Sequence, residues 1–209
     1  MYRTRIAAGV LAAAAVATAA AACSSGDDSD GKTAAAPASS APTMASSSPS
    51  ADQPFGPGCS AVPASGKGSF SGMSTDPVAT AASNNPVLST LVTAVKKAGL
   101  VDTLNSAKNI TVFAPTNDAF NKIPKATLDK VLSDKKTLTS ILTYHVVGQP
   151  ITPGGLASGE FKTLNGAMLK TSGSGESFTI GEGAPVVCGN VHTANATVYI
   201  IDSVLMPPK

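Results

Sequence analysis

Apolar side chains recur at helical spacing in the segment that follows Asn85. Four of them stand at positions i, i+3, i+4 and i+7 and so share one face of a helix: Leu88, Leu91, Val92 and Val95. Asn85 is a favourable N-cap, Pro86 suits the first helical position, and Gly99 suits the residue after the last turn. The pattern predicts one amphipathic helix between Asn85 and Gly99, preceded by a shorter helix at Asp76–Ala82.

Two short helical patterns follow later in the chain. Each consists of three apolar side chains: Leu128, Val131 and Leu132 in the first, and Leu138, Ile141 and Leu142 in the second. Asp134 lies between the two patterns and is a natural helix cap. The second pattern runs into Tyr144–Gly148, where β-branched residues and then a glycine predict a short strand and a turn.

After Gly159 the helical period gives way to short β-forming runs. Phe161–Leu164 and Met168–Thr171 flank Asn165-Gly166, which is a strong signal for a hairpin turn. Further runs predict strands separated by Gly, Pro or Asn: Phe178–Ile180, Val186–Val187, Val191–Thr193 and Val198–Ile201. Helices in the first half and strands in the second half predict an α+β domain.

The stretch Ile110–Phe120 contains both kinds of pattern. It begins as a buried strand, which Pro115 ends because proline has no N–H to give to a ladder. Thr116 is then a good N-cap, and Asp118 lies in the first turn of a helix, where its charge suits the positive end of the dipole. The stretch predicts a strand, a sharp corner and the start of a helix, without a nucleophile, a phosphate loop or a metal site.

Composition divides the 209 residues unevenly. Residues 1–22 carry Arg3 and Arg5 ahead of an uncharged run, which is typical of an export signal, with a retained membrane anchor as the alternative. Cys23 follows three alanines, and this arrangement resembles a bacterial lipobox in which the Cys is lipidated, although Ala20 stands where Leu is usual. Ordinary signal cleavage that releases a soluble protein is the competing interpretation.

Residues 23–53 are rich in Ser, Ala, Pro and Thr and nearly free of large apolar side chains. Such a segment cannot bury enough surface to offset its ordering entropy, so it is predicted to be a disordered tether before a folded domain at 54–209. Its hydroxyl residues include candidates for O-linked sugar: Thr43, Ser46, Ser47 and Ser48.

The chain has three cysteines, an odd number for an exported protein. If Cys23 carries a lipid, Cys59 and Cys188 remain to form the disulfide expected of an exported pair, and two free thiols are the alternative. Removal of residues 1–22 leaves thirteen Lys against thirteen acidic residues and no Arg. A nucleic-acid partner is therefore not expected.

Three motifs in this chain resemble, in the correct order, those of the fasciclin-like (FAS1) domain family. Ile110–Phe120 resembles its first signature, Val198–Pro207 resembles its second, and Tyr144-His145 lies between them, where that family has a Tyr-His pair. The resemblance spans about residues 74–207. It points in particular to the secreted and surface lipoprotein antigens of mycobacteria and other actinobacteria within this family.

The resemblance implies one domain with a wedge of β-sheets and a layer of helices, acting in adhesion and extracellular recognition without a common catalytic centre. In animal relatives, segments near the Tyr-His pair and the second signature are linked to integrin binding. This implies Tyr144, His145 and the region of Asp202 as partner-binding positions. Two positions depart from the family pattern, since Asn195-Ala196 replaces a frequent Asn-Gly and Tyr199 replaces a frequent His.

No pattern in the chain predicts catalysis, a cofactor or a metal ion. No G-x-S-x-G elbow accompanies the two histidines, His145 and His192, and the acidic residues outside the tether are scattered. We interpret His145 as a structural residue and hypothesise that it hydrogen-bonds to the corner at Thr116 or Asp118. The latter two residues are interpreted as a cap and a brace.

Two functions are consistent with these observations. In the first, the protein is anchored by a lipid to the outer side of the cell membrane, with some release into the medium. It would present a monomeric adhesion or recognition domain to an extracellular protein, a glycan or a matrix component. In the second, it carries a small hydrophobic or envelope-lipid ligand in a cleft between the helices and the sheet. An open apolar cavity would favour the carrier, whereas a filled core would favour adhesion.

Overall fold

Seven strands and seven α-helices make up residues 53–208, the part of the chain that the computed structural model describes. The signal at 1–22, the lipidation site at Cys23 and nearly all of the tether at 23–53 lie outside these residues. No helix within residues 53–208 has both the length and the apolar character needed to cross a membrane.

The helices lie mainly in the first half of this domain. They are α1 Phe70–Ser74, α2 Val78–Ser83, α3 Ser89–Ala98, α4 Val101–Ser106, α5 Asn117–Asn121, α6 Lys125–Ser133 and α7 Lys135–Tyr144. Short 3-10 helices occur at Pro57–Ala61, Pro86–Leu88 and Pro153–Leu156. Asp134 caps α7, as its position predicts, by accepting hydrogen bonds from the Lys136 N–H at 2.9 Å and the Thr137 hydroxyl at 2.6 Å. These bonds lower the pKa of its carboxyl group.

The helix predicted between Asn85 and Gly99 is divided in the structure. Asn85 caps Pro86–Leu88, which is a 3-10 turn, and α3 starts only at Ser89. Within α3 the buried residues are Leu91, Ala94, Val95 and Ala98, so Val92 lies at the edge of the buried face and is only half-buried. Gly99 ends the helix in the left-handed conformation as predicted.

The strands form one mixed sheet that is nearly closed on itself. They are β1 Ile110–Pro115, β2 Val146–Val147, β3 Ser158–Lys162, β4 Met168–Ser174, β5 Ser177–Ile180, β6 Ala184–His192 and β7 Ala196–Ile201. The order is β2-β1-β7-β6-β5-β4-β3, with β1 and β7 parallel and the other neighbours antiparallel. A bridge between Val147 and Thr163 links the two outer strands. The predicted α+β class and wedge architecture are confirmed.

Alternation along the central strands separates two apolar cores. One face of β1 and β7, including Val112 and Val198, packs against the helices. The other face, including Phe113 and Tyr199, fills the inside of the curved sheet. The Tyr199 hydroxyl donates a hydrogen bond to the Ile151 carbonyl at 2.7 Å, and burial raises the pKa of this phenol. Tyr199 thus has a structural role.

Asn195 fastens the tip of the β6–β7 hairpin to the helical layer. Its side-chain oxygen accepts a hydrogen bond from the Val78 N–H at 2.8 Å, at the start of α2. Its amide group donates to the carbonyl of Leu104 at 2.8 Å and to that of Ala107 at 2.7 Å, at the end of α4. One asparagine therefore satisfies the termini of two helices.

Candidate functional site

The corner after β1 has one of the two structural features that its sequence predicts. The Thr116 N–H donates to the Ile201 carbonyl at 3.0 Å, and the Thr116 hydroxyl accepts from the Ala119 N–H at 3.2 Å. Asp118 lies in the first turn of α5, but its carboxylate makes no hydrogen bond within residues 53–208. The corner is thus capped by Thr116 and not braced by Asp118.

His145 does not bond to that corner, so our hypothesis for its partner is wrong. Its Nδ1 lies 2.8 Å from the Ile141 carbonyl, one turn back in α7, and its Nε2 accepts a hydrogen bond from the Leu205 N–H at 3.0 Å. The Thr116 hydroxyl already accepts the hydrogen bond that caps α5. His145 therefore bonds to the end of α7 and to the chain after β7 instead. With Nε2 as the acceptor, the proton resides on Nδ1. Burial lowers the pKa of this imidazole to about 4.

The three residues implied as partner-binding positions have different environments. His145 is only 2% exposed, so it does not touch a partner in this conformation. Asp202 forms an ion pair with Lys122, with 2.6 Å between the carboxylate and Nζ. The Tyr144 hydroxyl donates to the Met168 carbonyl at 3.4 Å, and burial, followed by the charge of Glu182, raises its pKa. Tyr144 lines an open groove at the surface, whereas His145 borders only the apolar space beneath the helices.

The groove has a volume of about 430 Å³ and lies between the β3–β4 hairpin and the C-terminal segment after β7. One wall is Glu160, Met168 and Lys170 of the hairpin, together with residues 181–184. The other wall is residues 203–206 and Pro208, and we call residues 202–208 the tail. Ligand pockets typically occupy about 300–1,000 Å³, so the groove is large enough for a ligand.

The groove combines exposed apolar side chains with charged ones. Met168 is 48% exposed and Met206 is 45% exposed, and of the large hydrophobic residues within 53–208 only Leu164, at 47%, is comparable. Glu160, Glu182 and Lys170 add two negative charges and one positive charge. None of these three side chains forms an ion pair with another described residue. No motif in the sequence indicates these five residues, although alternating exposure along the predicted hairpin is a signal for Met168 and Lys170.

The groove brings together two carboxylates, one amine and one serine hydroxyl, with no histidine beside them. His145 lies behind the tail with both ring nitrogens engaged. No cluster of three metal-ligating side chains occurs among residues 53–208. The arrangement is suited to noncovalent binding.

A second concave feature lies beneath the helices. It is an apolar cavity of about 60 Å³ between α2, α3, α4 and the sheet, bordered by Met73, Leu91 and Val198 among others. A cavity of about 150 Å³ is known to hold benzene. The cavity is less than half that size, so it is too small for a lipid chain in this conformation and does not favour the carrier hypothesis.

The N-terminal segment is attached to the middle of the sheet, at β6. Cys59 and Cys188 form a disulfide, in agreement with the pairing predicted from the cysteine count. Phe55 and Gly189 exchange backbone hydrogen bonds of 3.1 and 2.8 Å. A Cβ atom at Gly189 would come within 2.3 Å of the Phe55 ring, so glycine is required for this contact. The segment is thereby held by a covalent bond and a fitted aromatic ring.

The groove lies at the first end of β6, whereas the N-terminal segment is attached to the middle of this strand and reaches it from the other end. The carbonyl of Gln53 accepts a hydrogen bond from Asn190, so the chain arrives from the side of His192. The groove includes Ala184, the first residue of β6. Five residues of strand from Gly189 to Ala184 correspond to roughly 15 Å. The groove therefore lies roughly this far along β6 from the place where the chain reaches the domain.

Comparisons with known proteins extend these observations. The sequence profile of the fasciclin domain family matches residues 86–207 of this chain. The cell surface glycolipoprotein MPB83 of Mycobacterium bovis is 51% identical over 174 residues, which cover 79% of this chain and 77% of that protein. The immunogenic protein MPB70 of the same species is 53% identical over 161 residues, which cover 73% of this chain and 82% of that protein. Among solved structures, a FAS1 domain pair from the insect cell adhesion molecule fasciclin I matches with a TM-score of 0.49 and 24% identity, over 58% of this chain and 46% of that chain.

Proposed function

This chain belongs to the fasciclin domain family, and we propose that it is a lipid-anchored cell-surface protein that presents a non-enzymatic recognition domain. The observation that carries the proposal is the position of the groove. Its exposed methionines and unpaired charges lie at the end of β6 opposite to the side where the chain arrives. A domain attached through its N-terminal segment would keep this groove clear of the attachment point and accessible to a partner.

Two observations support attachment to the cell surface. The predicted export signal is followed by Cys23, which resembles the lipidated residue of a lipobox. MPB83, which shares about half of its aligned residues with this chain, is named a cell surface glycolipoprotein. The tether is rich in hydroxyl residues, so we extend the proposal to O-linked sugar at Thr43 and its neighbours Ser46, Ser47 and Ser48.

Attachment and recognition can be tested separately. Cell fractionation should find the unchanged protein in the membrane and a Cys23→Ala variant in the medium, and retention of the variant in the membrane would contradict lipidation. For recognition, the full-length protein in mild detergent would be applied to arrays of matrix proteins and glycans. Saturable binding that a Met168→Ser, Met206→Ser double variant loses is the expected result. Absence of binding, or binding unaffected by these changes, would refute the groove as the recognition site.

A further inference from the structure

We propose that the occupant of the groove is an extended peptide segment of a partner protein that carries basic side chains beside apolar ones. This inference rests on the proposed recognition function and specifies its ligand. The charge of the groove gives the first reason. Glu160 and Glu182 outnumber Lys170 in the walls, and neither carboxylate has a cationic partner among the described residues. A basic ligand would supply the positive charge that these carboxylates lack.

The exposed methionines give the second reason. Met168 projects from the hairpin and Met206 from the tail, so each wall of the groove offers one flexible apolar side chain. Methionine adapts its shape to different apolar partners and is common at surfaces that bind peptides. Apolar side chains of the ligand would therefore contact both walls.

The backbone of the tail gives the third reason. The Asp202 N–H donates to the Pro185 carbonyl and the Leu205 N–H donates to His145. The N–H groups of Ser203, Val204 and Met206 make no hydrogen bond within residues 53–208. An extended peptide is well suited to pair with such groups, because its own carbonyls are free to accept. A glycan is disfavoured because the groove exposes no aromatic ring for a sugar to stack on, since Tyr144 is buried.

The inference can be tested with three synthetic peptides and the full-length protein in mild detergent. Each is a blocked nonapeptide in which leucine alternates with lysine, leucine alternates with glutamate, or serine alternates with lysine. Fluorescence anisotropy should give a dissociation constant at least tenfold lower for the leucine–lysine peptide than for either counterpart. Equal affinity for the leucine–glutamate peptide would overturn the charge argument, and equal affinity for the serine–lysine peptide would overturn the apolar one.

Variants of the groove locate the binding and have matched controls elsewhere on the domain. Glu160→Gln and Glu182→Gln should each weaken binding of the leucine–lysine peptide by about threefold, as expected for exposed charge pairs. Glu176→Gln, in the exposed turn between β4 and β5, should leave it unchanged. Lys170→Gln should strengthen it, because it removes a positive charge that opposes the ligand. A weakening by Lys170→Gln, or equal effects of all three glutamate variants, would refute the assignment.

The apolar contribution has its own control. Met168→Ser and Met206→Ser should each weaken binding of the same peptide severalfold, whereas Leu164→Ser changes an equally exposed residue outside the groove and should have no effect. Failure of the peptide inference is distinguishable from failure of the proposed function. Suppose that the methionine changes abolish binding to the arrays but the leucine–lysine peptide does not compete with that binding. The groove would then remain the recognition site, and a basic peptide would be excluded as its ligand. No groove-dependent binding in either experiment would exclude both.

Discussion

Protonation of His145 is expected to control the acid stability of this domain. In the folded protein burial lowers the pKa of this imidazole to about 4, from an ordinary value of 6.5. Between these two values the unfolded chain binds a proton that the folded domain does not. The free energy of unfolding therefore falls as the pH decreases from about 6.5 to about 4, and the contribution is fully present above the unfolded pKa.

The size of this effect follows from the shift in pKa. Each unit of difference corresponds to about 1.4 kcal/mol, so the whole shift is worth about 3 kcal/mol. Between pH 7.5 and pH 5.0 the linkage relation gives a loss of about 2 kcal/mol. That is a large part of the roughly 5–15 kcal/mol that holds a typical domain folded.

Urea unfolding at pH 7.5, 6.5, 5.5 and 5.0 would measure the loss, with His145→Gln as the test and His192→Gln as the control. The chain has only these two histidines, and His192 is exposed. The His192→Gln variant should lose as much stability between pH 7.5 and pH 5.0 as the unchanged protein. His145→Gln should remove this loss, while costing about 1–3 kcal/mol at pH 7.5 because the Ile141 carbonyl loses its donor. Equal losses in the His145 variant and the unchanged protein would refute the reasoning.

Three further changes should alter stability in urea or thermal unfolding. Cys59 and Cys188 are 129 residues apart, so their reduction and alkylation should lower the free energy of unfolding by about 4–5 kcal/mol. An unchanged midpoint of the unfolding transition would contradict this. Asn195→Asp should lower the free energy of unfolding by about 3 kcal/mol or more, because a carboxylate would face the carbonyls to which the amide now donates. A decrease of less than about 1 kcal/mol would contradict the role of this residue. Val198→Ile adds a methyl group beside the cavity and should stabilise by about 0.8 kcal/mol. Val186→Ile, in the filled core inside the sheet, is the matched control and should not stabilise, so an equal gain in both would refute cavity filling.

Local signals in the sequence predict those features whose partners are close in the chain. Asn85, Thr116 and Asp134 each bond to an N–H two or three residues ahead, and all three were predicted as caps. The Asn165-Gly166 signal likewise predicts the hairpin between β3 and β4. The burial of Val92 was predicted wrongly, because the buried face of α3 centres on Ala94 and Val95 and leaves Val92 at its edge.

Features that depend on distant parts of the chain were not predicted. Met168 and Met206 meet across one groove only because the sheet order brings the β3–β4 hairpin next to the segment after β7. The acceptor for the Leu205 N–H is His145, sixty residues away, and no local pattern connects them. The disulfide was inferred by counting cysteines, but its consequence for Phe55 and Gly189 required the structure.

The bond between Cys59 and Cys188 also determines how the domain would respond to a mechanical load. A pulling force applied between its two chain ends would pass from residues 53–59 through the disulfide into the last strands, bypassing every residue between the two cysteines. The two cysteines are 129 positions apart, so the chain between them represents roughly 450 Å of extended length that cannot be drawn out while the disulfide is intact. A load between the chain ends would therefore reach the helical layer only through noncovalent contacts with the last strands and the tail, such as the hydrogen bond from the Leu205 N–H to His145.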